Sequence, residues 1–188
     1  MHVSNSPPAS APKLQLLADR YRQLSLETVF YVKEGDGYVR CLPSDPPEPD
    51  FPSRLSMISD PAHGGKINAG SLEEGAVGLW AEATGVVSSL QRESTGLSEF
   101  VDFQGQTWDV KSPISPPSHQ NWTFDASHQV TVVQEELDGG ENVLLNLSRC
   151  NPTDSAEVVE LLKHNIKPWE QQRVVILMRE DQSSSEQA

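Results

Sequence analysis

Gly96-Leu97-Ser98-Glu99-Phe100-Val101-Asp102-Phe103-Gln104-Gly105-Gln106-Thr107-Trp108-Asp109-Val110-Lys111 is the run that decides the fold. Two short stretches rich in aromatic and β-branched residues flank a Gly-containing turn, which predicts a β-hairpin over 97–103 and 106–112. Strand side chains alternate between faces, so Asp109 and Lys111 point the same way. Which acid joins them depends on the loop. An even-numbered loop sets Asp102 opposite Thr107 and puts Asp102 on their face. An odd-numbered loop sets Val101 opposite Asp109, puts Glu99 on that face instead and stacks Phe100 against Trp108 and Val110 on the other face. A one-residue slip flips every side chain. The odd register is preferred for its aromatic stacking, and Glu99 with it.

On the N-terminal side, the spacing predicts a helix over 71–84. Its apolar face carries Leu72, Ala76, Leu79, Trp80 and Ala83, and Gly85 stops it. Residues 86–91 suit a strand. On the C-terminal side, Ser112-Pro113-Ile114-Ser115-Pro116-Pro117 ends the hairpin. Asp125 then caps a helix carrying Val130, Val133 and Leu137 and closed by Gly139-Gly140, although 130–133 also suits a strand. A strand follows over 143–147. Asp154 and Glu157 resemble a capping box before Val158, Leu161 and Leu162. Arg173-Val174-Val175-Ile176-Leu177-Met178 reads as a buried strand. The order helix, three strands, helix, strand, helix, strand (αβββαβαβ) implies an α/β fold with helices covering a central sheet.

Before this unit, residues 1–11 read as disordered and 13–24 as a short helix. A small hairpin follows over 28–32 and 38–42, across Glu34-Gly35-Asp36-Gly37. A Pro-rich linker runs over 43–52. The chain therefore divides into an N-terminal helix-plus-hairpin appendage over 1–55, an α/β domain over 56–180 and a loose tail over 181–188.

The chain has 188 residues and a formal net charge of −13. That charge argues against broad attraction to nucleic-acid phosphates and suits a basic protein partner. The two cysteines, Cys41 and Cys150, read as unpaired thiols. The five histidines lack ligand spacing for zinc. No nucleophile-elbow, Walker or dinucleotide motif occurs. Trp122 and Trp169 read as core or rim packing residues and not as base-stacking platforms. Residues 1–12 lack the pattern of a signal peptide and no apolar run has membrane-span length, so a cytoplasmic protein without membrane association is expected.

Two or three carboxylates can hold Mg²⁺ or Mn²⁺, which prefer oxygen ligands. A lysine beside them can orient water or offset charge developing in a transition state. A further acid from the preceding helix completes such a site. At about 100° per residue, Glu82 lies on one rim of the apolar face, Glu73 on the other, and Glu74 nearly opposite. Glu82 is therefore the preferred helix acid, followed by Glu73.

Gly78-Leu79-Trp80-Ala81-Glu82-Ala83-Thr84-Gly85-Val86-Val87, Arg92, Ser98-Glu99-Phe100-Val101-Asp102 and Gly105-Gln106-Thr107-Trp108-Asp109-Val110-Lys111 together resemble the PD-(D/E)XK nuclease superfamily. The similarity is to C-terminal toxin domains of contact-dependent-inhibition and other polymorphic toxin systems, and it extends over roughly residues 65–178. The resemblance implies a restriction-endonuclease-like core, a mixed sheet flanked by helices, and Mg²⁺-dependent cleavage of DNA or RNA, tRNA among them. It implies Glu82 as helix acid, Glu99 or Asp102 as first-strand acid, Asp109 as second-strand metal ligand and Lys111 as catalytic lysine. Ser98-Glu99 stands where the family pattern has Pro-Asp. Such toxins are delivered into target cells and answered by a cognate immunity protein. The alternative, from another class, is a catalytically inactive interaction protein on the same fold that binds a basic partner through its acidic surface.

Overall fold

The computed structural model describes residues 28–34, 37–41, 51–59 and 67–179. The expectations for 1–11, 13–24 and 181–188 lie outside these residues. In chain order the elements are β1 (Thr28–Glu34), β2 (Gly37–Cys41), α1 (Phe51–Ile58), α2 (Ala69–Ala83), β3 (Leu90–Arg92), β4 (Phe100–Asp102) and β5 (Thr107–Lys111). They continue with α3 (Ala126–Gly139), β6 (Asn142–Asn146), α4 (Pro152–Asn165), α5 (Pro168–Gln171) and β7 (Val174–Arg179). The strands form one sheet in the order β2-β1-β7-β6-β5-β4-β3. β5, β6 and β7 are parallel, and the remaining neighbours pair antiparallel. The fold is thus α/β, a mixed sheet flanked by helices. The small N-terminal hairpin is paired, through β1, to β7.

Alternation along the central strands sorts side chains into two cores. Leu144, Val175 and Leu177 pack on one face with Leu55 of α1 and Val77 and Trp80 of α2. Val143, Leu145, Val174 and Ile176 pack on the other with Val133 of α3 and Val158 and Leu162 of α4. Trp108 and Val110 belong to the α2 side. By the same alternation Asp109 and Lys111 face α3. Trp80 and Phe100 are fully buried there, each worth about 1.5–3 kcal/mol of apolar burial.

Several local expectations are corrected. α1 occupies residues assigned to the linker and the domain boundary. β3 begins only at Leu90, because the C-terminal turn of α2 runs on: Val86 N–H donates to Ala81 O (3.2 Å). The helix reading after Asp125 holds, by contrast: 130–133 lie within α3, capped by Asp125 and closed by left-handed Gly140 (φ 95°). α4 is capped by Asn151 with Pro152 at its start, so Asp154 lies in the first turn and is not the cap. Asn151 suits that role because its carbonyl accepts the Asp154 N–H (2.8 Å). Trp122 and Trp169 are 48% and 67% exposed; the core tryptophans are Trp80 and Trp108. Among the described residues no helix is long and apolar enough to cross a membrane.

Candidate functional site

The β4–β5 hairpin turns over residues 103–105, with Gly105 at φ 79°. Asp102 N–H donates to Gln106 O (2.9 Å) across the turn. Phe100 faces Trp108 and Val101 faces Thr107. The loop is therefore odd-numbered, and Phe100 and Trp108 share the α2-side core, but the pairing is two residues off the expected one: Val101 faces Thr107 and not Asp109, because the turn is centred on 103–105. A three-residue loop closed by a left-handed glycine is the ordinary geometry for this register.

Register decides between the two hairpin acids. Asp102 falls on the α2 side, away from Asp109 and Lys111. Its Oδ1 accepts the N–H groups of Gln104 and Gln106 (2.9 Å each), and its Oδ2 accepts Trp108 Nε1–H (3.1 Å). Asp102 thus builds the turn, and its place among the expected metal ligands is corrected: both oxygens are committed. Glu99 lies just before β4, and one further step of the observed register brings it opposite Asp109. There the ladder stops. Val110 N–H donates to Glu99 Oε2 (3.2 Å).

Asp109 is only 5% exposed. Its Oδ2 is ion-paired with Lys111 Nζ, and Lys111 Nζ also contacts Glu136 Oε1 of α3 at 2.8 Å. Burial pushes the Asp109 carboxyl above the usual carboxylate range; the Lys111 ammonium pulls it back, and the charges of Glu136 and Glu74 push it further up. Burial pulls Lys111 down, but hydrogen bonding and charge from Asp109 and Glu136 outweigh it and leave its pKa raised. Glu141, just before β6, is also pushed up, first by burial and then by the charges of Asp109 and Glu136. Its Oε2 is buried without a hydrogen-bond partner. At the loop beyond β3, the Glu93 carboxyl is held down at about 2, first by the Thr95 hydroxyl and then by backbone N–H groups of residues 95–97.

The three acids of α2 go to three places. Glu82, the expected helix acid, is gripped by Arg54 of α1 (2.6 and 2.9 Å) and accepts the Leu90 N–H (2.8 Å). It joins α1, α2 and β3 and is not with Asp109. Glu73 is buried and pairs with Arg149 (2.8 Å) and Asn146 (3.2 Å). Glu74, expected to face solvent, pairs with Arg92 (3.2 Å), and its charge reaches Asp109. Arg92 in turn lies over the Phe100 ring, 5.3 Å from its centre.

The expected constellation is therefore partly rearranged. Asp109 and Lys111 are together and Glu99 is beside them. Glu82 and Asp102 serve the scaffold. Glu74, Glu136 and Glu141 are additions. Among the described residues no three His, Cys, Asp or Glu side chains are already gathered to hold a metal ion. At Asp109 the space between carboxylates is filled by the Lys111 ammonium.

No protein-family model, no curated protein and no solved structure matches the chain.

Proposed function

We propose that this chain is a metal-dependent nuclease with a restriction-endonuclease-like core, cleaving phosphodiester bonds in DNA or RNA in the manner of a polymorphic toxin domain. One observation carries the reading: Asp109 and Lys111 lie paired on β5 at the point where β4 and β5 part and Glu99 enters the gap. The element run α2-β3-β4-β5-α3-β6 is in keeping with it, because Glu99 stands just before β4 and Asp109 and Lys111 lie on β5, next along the chain.

The donor chemistry fits Mg²⁺ or Mn²⁺. The available atoms are carboxylate oxygens, and Asp109 and Glu141 are pushed up first by burial and then by neighbouring carboxylate charge. Asp109 would hold the ion, with Glu99 beside it on the same face of the sheet. Bound there, the ion would polarise a phosphate and lower the pKa of its water. Lys111 offsets negative charge developing on the phosphate.

The test is cleavage of plasmid DNA and total tRNA by purified protein with Mg²⁺, Mn²⁺ or EDTA. Metal-dependent cleavage by the wild type that drops by about 10²-fold or more in Asp109→Asn and Lys111→Ala supports the assignment. Cleavage that survives both substitutions overturns it. A folded protein that cleaves neither substrate with either metal is instead an interaction protein on this fold, with its acidic surface turned to a basic partner.

A further inference from the structure

We propose that Glu136 is the positioning residue of Lys111: α3 delivers a carboxylate that fixes the ammonium over Asp109. This inference deepens the nuclease reading and rests on it for its kinetic arm only.

A lysine ammonium is a point charge on a flexible four-carbon stem, with three donors that rotate freely. One acceptor two residues away on its own strand leaves that stem several rotamers. A second acceptor from a different element fixes the ammonium between two rigid bodies. Lys111 has that arrangement, with Asp109 on β5 and Glu136 Oε1 on α3 at 2.8 Å.

The main chain that carries Glu136 is tied down at the end of α3. Glu136 stands between buried Val133 and Leu137 in the last turns of α3. Its own carbonyl accepts the Glu141 N–H (3.0 Å). Arg173 then donates to Leu137 O (3.1 Å) and Glu141 O (2.6 Å), pinning the helix end to the start of β6. β6 is hydrogen-bonded to β5. The carboxylate of Glu136 and the stem of Lys111 are therefore referenced to the same framework. Among the described residues Asp109 and Glu136 are the ammonium's only ion-pair partners. That leaves a donor for a phosphate oxygen or a water.

Two measurements on the full chain test this. The first is the lysine ammonium ¹⁵N spectrum at low temperature, with Lys111→Ala identifying the Lys111 signal. In the wild type the paired ammonium gives a distinct, exchange-protected resonance. In Glu136→Gln that resonance broadens or vanishes while circular dichroism stays unchanged. The second is steady-state cleavage. Glu136→Gln lowers kcat by about tenfold to a hundredfold and leaves KM within about twofold. Glu136→Asp recovers part of the loss, and Glu136→Gln adds nothing in the Lys111→Ala background. An unaltered Lys111 resonance in Glu136→Gln overturns the inference. So does an unaltered kcat in an active enzyme. If the wild type cleaves nothing but its Lys111 resonance depends on Glu136, the nuclease reading fails and the hold of Glu136 on Lys111 stands.

Discussion

Glu99 accepts a hydrogen bond from the Val110 N–H at 3.2 Å, and this contact marks where β4 and β5 separate. A side chain has taken the place of a backbone acceptor. The acid expected to serve chemistry is therefore also a piece of the sheet. The two roles separate by substitution. Glu99→Gln keeps a carbonyl acceptor, so its stability loss stays below about 1 kcal/mol; Glu99→Ala leaves a backbone donor unpaired and costs about 1–2 kcal/mol. Under the nuclease reading both lose cleavage. Urea denaturation and a plasmid assay on the same preparations check the split; equal stability losses argue against the hydrogen bond.

Glu82 and Glu74 make an opposed pair. Glu82 is bound by two Arg54 nitrogens and the Leu90 N–H. Arg54 is 35% exposed, so solvent screens the ion pair and most of the loss comes from the Leu90 N–H. Glu82→Ala is expected to cost about 1–3 kcal/mol and to leave cleavage per folded molecule unchanged. Glu74→Gln is expected to do the reverse: little change in the urea midpoint, with cleavage reduced. A Glu82→Ala protein that is fully stable but inactive would restore Glu82 to the site.

The contrast shows what could be read from the chain. Period-2 alternation was enough to pair Asp109 with Lys111. The choice of Glu99 over Asp102 needed only the parity of the turn, and Phe100 opposite Trp108 supplied it. The helical wheel misassigned α2, because proximity to the core was taken as proximity to the site. An acid at a core rim needs a partner, and Arg54 belongs to a helix that spans the end of the expected linker and the expected domain boundary. Glu136 sits on the rim of the α3 apolar stripe, 60° from Val133 at about 100° per residue, so the same wheel applied to α3 could have found it. Glu141 lies in Gly140-Glu141-Asn142-Val143-Leu144-Leu145, a segment that also resembles the polymorphic toxin domains, but nothing local gives it a place beside Asp109. Its position follows from the parallel pairing of β5 with β6, a long-range choice that no short window contains.

Gly78 sets how closely α2 approaches the hairpin. A Cβ there would meet Phe100 Cε2 at 2.9 Å and Cζ at 3.1 Å, with Leu90 Cδ1 at 3.2 Å. Replacing Gly by Ala in a helix interior gains about 1 kcal/mol, while overpacking a tight core costs about 1–3 kcal/mol. Phe100 is fully buried and faces Trp108 across the sheet, so the ring has little room to yield. Gly78→Ala is expected to lower the urea midpoint, and any shift of the ring displaces β4 and Glu99 with it. A stabilised variant would show that α2 can move off the sheet without loss.

Glu141 offers a test by pH. Its carboxyl is pushed up by burial and by the neighbouring charges of Asp109 and Glu136. A carboxylate raised in the folded state binds more protons there than in the unfolded chain. Its contribution is therefore most favourable below the ordinary value of 4.5 and declines as pH rises through the raised folded value. Glutamine does not titrate. Glu141→Gln should match the wild type in stability below the ordinary value, apart from a constant offset, and gain on it as pH rises to neutral. Urea midpoints of both proteins between pH 4 and 8 measure the difference, on the order of one carboxylate's worth of titration. Added Mg²⁺ sharpens the comparison. Under the nuclease reading a cation near Asp109 relieves the same excess of negative charge, so the advantage of Glu141→Gln at neutral pH shrinks when the metal is present. An advantage that grows toward acid pH would mean that Glu141 is stabilised as the anion, opposite to the environment its buried oxygen occupies.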